Sequence, residues 1–136
     1  MIKIKISHSP ILYAIKNDSI DIVLFLIHYA EENNILLEFN VWGNDEAHPI
    51  YNAFVNAYQD EKTDIIELLV SYIKINEIEV NYNKFDFGKY IIYYDDCDNE
   101  LKDFYNKNNL KHVEIHDLFE EFKNYQDNLR RNKEWL

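Results

Sequence analysis

The chain has 136 residues, 47% of them apolar, and a formal net charge of −11. That size supports one domain burying about two-thirds of its unfolded surface. The charge argues against nucleic acid and anionic membrane surfaces as partners, because both need clustered Lys and Arg, and the one basic cluster (Arg130, Arg131, Lys133) is short.

Met1 to Ile6 alternates Ile with Lys, which predicts a short strand with one buried face. It lacks the apolar core and small-residue cleavage site of a signal peptide. No stretch reaches the roughly 20 apolar residues of a membrane span. A single cysteine, Cys97, leaves no internal disulfide and no multi-Cys zinc site. The expectation is a soluble, intracellular, cytoplasmic protein.

Ser9 to Ala30 organises the chain. Ser9 can cap a helix whose first position suits Pro10, because the N–H missing there would have had no partner. Ala14 is small where two helices must approach closely. Asn17, Asp18 and Ser19 break the pattern and offer a cap to a second helix. Val23, Leu26, Ile27 and Ala30 then recur at helical spacing. The product is a helical hairpin with one apolar side, which needs a neighbour of the same kind to bury it.

That neighbour follows at His48 to Ile73. Pro49, Ile50 and Ala53 repeat Pro10, Ile11 and Ala14 at an offset of 39, and Ile66, Leu69 and Val70 repeat Val23, Leu26 and Ile27 at 43. Four extra residues therefore fall near Tyr58 to Lys62. In the intervening stretch, Glu38-Phe39-Asn40 aligns with Glu79-Val80-Asn81 and Asp45 with Asp86, each at 41. Gly43-Asn44-Asp45 and Asp86-Phe87-Gly88 are turn formers. Ser9-Pro10-Ile11-Leu12-Tyr13-Ala14 and His48-Pro49-Ile50-Tyr51-Asn52-Ala53 resemble the Thr-Pro-Leu-His-x-Ala opening of the ankyrin repeat, and the second helices resemble its Val-x-x-Leu-Leu. The likeness runs from about Ser9 to Tyr105, with Leu12 and Tyr51 in place of the family's His. It implies a mainly α fold: an ankyrin-like solenoid of stacked helical hairpins with short finger loops.

A third, degenerate unit opens at Gly88-Lys89-Tyr90-Ile91-Ile92, with a short strand at Tyr90 to Tyr94 as the alternative. Leu101, Phe104 and Tyr105 echo the second-helix spacing. Residues 1–110 thus form the repeats, and 111–136 a long C-terminal capping helix of the same domain. Ile115, Leu118, Phe122, Tyr125, Leu129 and Leu136 line its stripe, widened by Phe119. Self-association through a heptad seam is the alternative, but the flanks (Glu121, Gln126, Asn128, Lys133) lack paired opposite charges.

Candidates for chemistry are few. His112 and His116 share a helix face but lack the Glu position of a zinc-protease motif and an obvious third ligand. Asp95, Asp96, Asp98 and Glu100 lack the Gly and spaced Glu of a calcium loop, and they disfavour a Cys97 thiolate. Neither Gly43 nor Gly88 belongs to a phosphate loop. No cofactor is expected, and no nucleophile–base–orienter set can be named, so the chain is not expected to be an enzyme. The resemblance implies a protein–protein interaction module, with a self-associating structural piece or a fragment of a longer array as the alternative. It also implies that a partner protein meets the finger tips and first-helix surface. Trp42, Phe85 and Phe87 stand at the tips, and Tyr13 and Asn52 just before each motif's Ala.

Overall fold

The computed structural model describes residues 2–4, 10–37, 39, 48–82, 85, 87 and 110–134, with backbone alone for 2–4, 110–112 and 134. Its elements are β1 (Ile2–Ile4), α1 (Pro10–Lys16), α2 (Ile20–Glu32), β2 (Ile35–Leu37), α3 (Pro49–Asp60), α4 (Asp64–Ile75) and α5 (Leu110–Glu134). The fold is mainly helical. Both hairpins start where a proline sits at the first helical turn. The four-residue insertion lengthens the first helix of the second hairpin: α3 has 12 residues and α1 has 7. One further helical turn leaves the apolar face in nearly the same direction.

The two hairpins end in the same way. Asp18 and Glu61, 43 residues apart, both adopt left-handed φ values of 52° and 54° after their helices. The next amide then bonds back to the helix, Ser19 N–H to the Ala14 carbonyl and Lys62 N–H to the Ala57 carbonyl. Asn34 and Glu77 close α2 and α4 at φ values of 53° and 50°. The side chains of Asn33 and Asn76 donate to the carbonyls of Tyr29 and Tyr72, again 43 apart. Ser19 occupies the N-cap of α2 as expected, but its side chain makes no capping bond.

β1 pairs with β2 in parallel, with Ile2 opposite Ile35 and Ile4 opposite Leu37. A parallel pair needs a crossover, and the first hairpin supplies it. α1 packs on α2 and α3, and α2 packs on α4. Ile11, Ala14, Ile15, Val23, Ile27 and Ala30 are buried on the first hairpin, and Ile50, Ala53, Phe54, Ile66, Leu69 and Ile73 on the second. Leu69 is fully buried, whereas its counterpart Leu26 is half-buried at the edge of the core.

Beyond the hairpins, the alignment of Glu38-Phe39-Asn40 with Glu79-Val80-Asn81 pairs Phe39 with Val80, both fully buried, while Glu38 and Asn40 lie outside the described residues. Leu37 and Val80 are both buried, and each extended segment hands its amide to the next helix. Leu37 N–H donates to the Tyr72 hydroxyl on α4 at 3.2 Å, and Val80 N–H to Gln126 Oε1 on α5 at 2.8 Å. Gln126 Nε2 also donates to the Ile78 carbonyl at 3.0 Å.

α5 packs on both α3 and α4. Its buried centre is Ile115, Phe119, Phe122 and Gln126, spaced by four, three and four residues, with Leu118, Tyr125 and Leu129 at the margin. Glu114, Asp117, Glu121, Asn124, Asn128 and Arg131 are exposed. Lys74 pairs with Glu121 at 2.5 Å, and Arg130 and Lys133 pair with Glu79 at 3.4 and 3.1 Å. These exposed pairs add little stability but agree in register with the Gln126 clamp. The third unit (88–109), Trp42 and Leu136 lie outside the described residues.

Gln126→Leu is expected to lower stability by about 2–4 kcal/mol, because it strands a buried amide and a buried carbonyl together. Urea unfolding measures this; a loss under about 0.5 kcal/mol would contradict the clamp.

Candidate functional site

The expected site residues separate. Phe87 is not at a tip. It is 1% exposed and forms the hub of an aromatic core between α3 and α5. Its ring stacks on Tyr51 at 5.2 Å, meets Phe119 edge-on at 4.9 Å, and lies 5.8 and 5.7 Å from Phe54 and Tyr58. A ring so enclosed has no surface to offer a partner, so Phe87 is withdrawn from the binding set. The physical reason is that α5 leaves an apolar gap over α3 that an aromatic from the connecting chain fills. Phe85 is half-buried beside it, 4.8 Å from the His48 ring and 5.5 Å from Tyr51. Asn52 is half-buried, and its side-chain amide donates to the His48 carbonyl at 3.0 Å. Tyr13 is 65% exposed. Trp42 lies outside the described residues, so no continuous surface through Trp42, Phe85, Tyr13 and Asn52 is traced.

His48 has a structural task. It is the N-cap of α3, and its Nδ1 accepts the Ile50 N–H at 3.2 Å. The ring is buried, and Nε2 has no hydrogen-bond partner among the described residues. Burial lowers its pKa from 6.5 to about 4. The helix N-terminus, which repels a positive charge, acts in the same sense. Burial, then the charges of Glu120 and Asp117, push the Tyr58 hydroxyl above the usual phenol range and keep it neutral.

No group of three or more His, Cys, Asp or Glu able to hold a metal is found among the described residues. The His112 side chain and Asp95–Glu100 lie outside them. A crevice between the hairpins, bordered by Ile15, Asn56 and Ile65, has a cavity volume of about 10 Å³, room for about one water. No described helix is long and apolar enough to cross a membrane.

What the described surface does offer is apolar. In addition to Tyr13, Ile22 is 38%, Phe25 66% and Tyr29 50% exposed, and the rings of Phe25 and Tyr29 stack at 6.3 Å. Ile22, Phe25 and Tyr29 are three and four residues apart, so they form one ridge along α2. In the sequence these three are hidden because Val23, Leu26, Ile27 and Ala30 already complete an apolar stripe. The available signal was width: with these three added, α2 is apolar around far more of its circumference than one contact face requires.

No family model matches the chain, and no curated protein or solved structure matches it either.

Two outcomes follow from this geometry. Phe87→Ala should cost about 3–5 kcal/mol, as a core truncation, in thermal or urea unfolding. For His48, the unfolded imidazole binds its proton near pH 6.5 and the folded one near pH 4, so stability is full above the first value and declines as pH falls toward the second. His48→Asn keeps an N-cap acceptor and removes that titration. Between pH 7 and pH 4 the wild type should lose about 2–3 kcal/mol more than the variant. Parallel pH profiles would contradict the neutral, buried His48.

Proposed function

We propose that the protein is a non-catalytic protein–protein interaction module, a short stack of helical hairpins of the kind the ankyrin resemblance implies. The observation that carries this reading is the ridge of Ile22, Phe25 and Tyr29, with Tyr13 on the adjacent helix, left open to water. Contiguous exposed aromatics cost solubility and are the side chains that dominate many binding interfaces. Stacked hairpins serve such a role because each unit adds surface without needing its own closed core. The site differs from the one expected at the finger tips: the ridge, not Phe87, carries it.

The test is affinity capture from native extract with the full chain and with Phe25→Asp as bait, followed by titration with the purified partner. A partner held by the wild type and weakened at least about tenfold by Phe25→Asp, with unchanged circular dichroism, supports the module. Equal binding to both baits, or no specific partner, contradicts it.

A further inference from the structure

The ridge of Ile22, Phe25 and Tyr29 is bordered by charge as well as open to water. Its three side chains are three and four residues apart on α2, and the stacked rings of Phe25 and Tyr29 make it continuous. Seven residues of helix carry it about 10 Å along the α2 axis. The strip is one helix wide, since α1 exposes Lys16 and Asn17 as well as Tyr13. Asp21 and Glu32 are exposed too. At about 3.6 residues per turn both project from the same flank of the ridge, Asp21 at its start and Glu32 past its end, about 16 Å apart along the axis. Neither carboxylate has an ion-pair partner among the described residues, whereas Asp18, just before α2, pairs with Lys62 at 3.6 Å. α2 itself contains no Lys or Arg.

We propose that this ridge is the docking site of one basic amphipathic α-helix from a partner protein. The apolar side of that helix covers Ile22, Phe25 and Tyr29, and its Lys or Arg side chains reach Asp21 and Glu32. The proposal rests on the interaction-module reading and names the partner's chemistry.

The occupant is a helix because α2 offers side chains and no open backbone. Its amides and carbonyls are committed within the helix, so an extended strand finds no edge to pair with. A narrow ridge running along one axis fits lengthwise between two rows of side chains on a second helix. The occupant is basic because covering the ridge moves two unpaired carboxylates out of bulk water, in a chain that carries −11. An opposite charge on the partner offsets that loss of hydration, and a like charge adds repulsion to it. A second copy of this chain is disfavoured on the same ground. Two ridges in two-fold contact bring Asp21 of one chain toward Glu32 of the other, and neither α2 supplies a cation.

The test is selection by the full chain from a displayed library of helices about 18 residues long, enough to be helical on their own. One face of each is drawn from Ala, Val, Leu and Met, and its borders equally from Lys, Arg, Gln and Glu. Selected borders should favour Lys and Arg over Glu by at least about tenfold. The best sequence, synthesised and titrated by fluorescence anisotropy, should bind Phe25→Ser and Tyr29→Ser at least about tenfold more weakly than the wild type. Asp21→Asn combined with Glu32→Gln should weaken it at least about fivefold, and should not weaken the same peptide with Gln borders. Glu114→Gln combined with Asp117→Asn removes the same charge from exposed positions on α5 and should weaken it less than about twofold. All six substituted side chains are exposed, and circular dichroism confirms that each variant keeps the fold.

Enrichment of neutral or acidic borders, or no enriched helix at all, would overturn the proposal. Equal weakening by the two double variants would do so as well, since it would mean attraction to an acidic chain at large. Full binding by Phe25→Ser and Tyr29→Ser would place the peptide elsewhere. A wild-type dimer, seen by light scattering, that Phe25→Ser dissociates would make the occupant a second copy and overturn the proposal. If selection fails while Phe25→Asp still abolishes partner capture, the basic helix is wrong and the interaction module stands. If both fail, the module reading falls as well.

Discussion

A helical hairpin has two broad sides, and a single neighbour covers one of them. Each structural choice in this chain answers that constraint. The first hairpin lies on the second through α1 against α3 and α2 against α4, and the far side of the second is closed by α5. α5 does this with one helix where a hairpin would use two, by packing on α3 and α4 at once. Its inner side is aromatic, and its exposed side is polar among the described residues. At the other end, among the described residues, the first hairpin ends in an aromatic ridge.

The connections between hairpins carry the second part of the order. An extended segment that dives into the core brings backbone amides with it, and each buried amide must be paired. Tyr72 and Gln126 meet that demand at equivalent places, although one is an aromatic hydroxyl on α4 and the other a carboxamide on α5. The Gln126 side chain satisfies both the Val80 amide and the Ile78 carbonyl, so α5 is held in rotation as well as in place. Phe87 then fills the space over α3 that this rotation defines. Neighbouring rings at 4.9 to 5.8 Å surround it, and Phe119 from α5 is among them.

Legibility followed locality. Pro10, Pro49, Ala14 and Ala53 announce helix starts and close approaches through properties of the residues themselves, and they sit where those properties place them. The helical hairpins, the long terminal helix and the extended segment at Ile2–Ile4 were readable from period alone. The burial of Gln126 was not, because a polar residue discloses a buried role only through partners 46 to 48 positions away. Phe87 was misplaced for a related reason: a turn-forming neighbourhood suggests a tip, and nothing nearby in sequence reveals the gap beneath α5. Of the candidate site, Tyr13 was legible, and the ridge on α2 was hidden by a stripe that already looked complete.

The left-handed residues that close the four shorter paired helices hold a last consequence, and it concerns the unfolded chain. Asp18, Asn34, Glu61 and Glu77 take up φ values of 50° to 54° in a protein with two glycines in all. Each residue bears about 1 kcal/mol of backbone strain that glycine would avoid. A glycine there would also enlarge the disordered ensemble and forfeit about 0.5–1 kcal/mol of entropy on folding. The two effects nearly cancel, so these turns are close to neutral in composition. The turns after α1 and α3 are therefore closed by backbone bonds, from the Ser19 and Lys62 amides, that any residue but proline can make, and such a turn leaves side-chain identity free to drift while the helices keep their geometry.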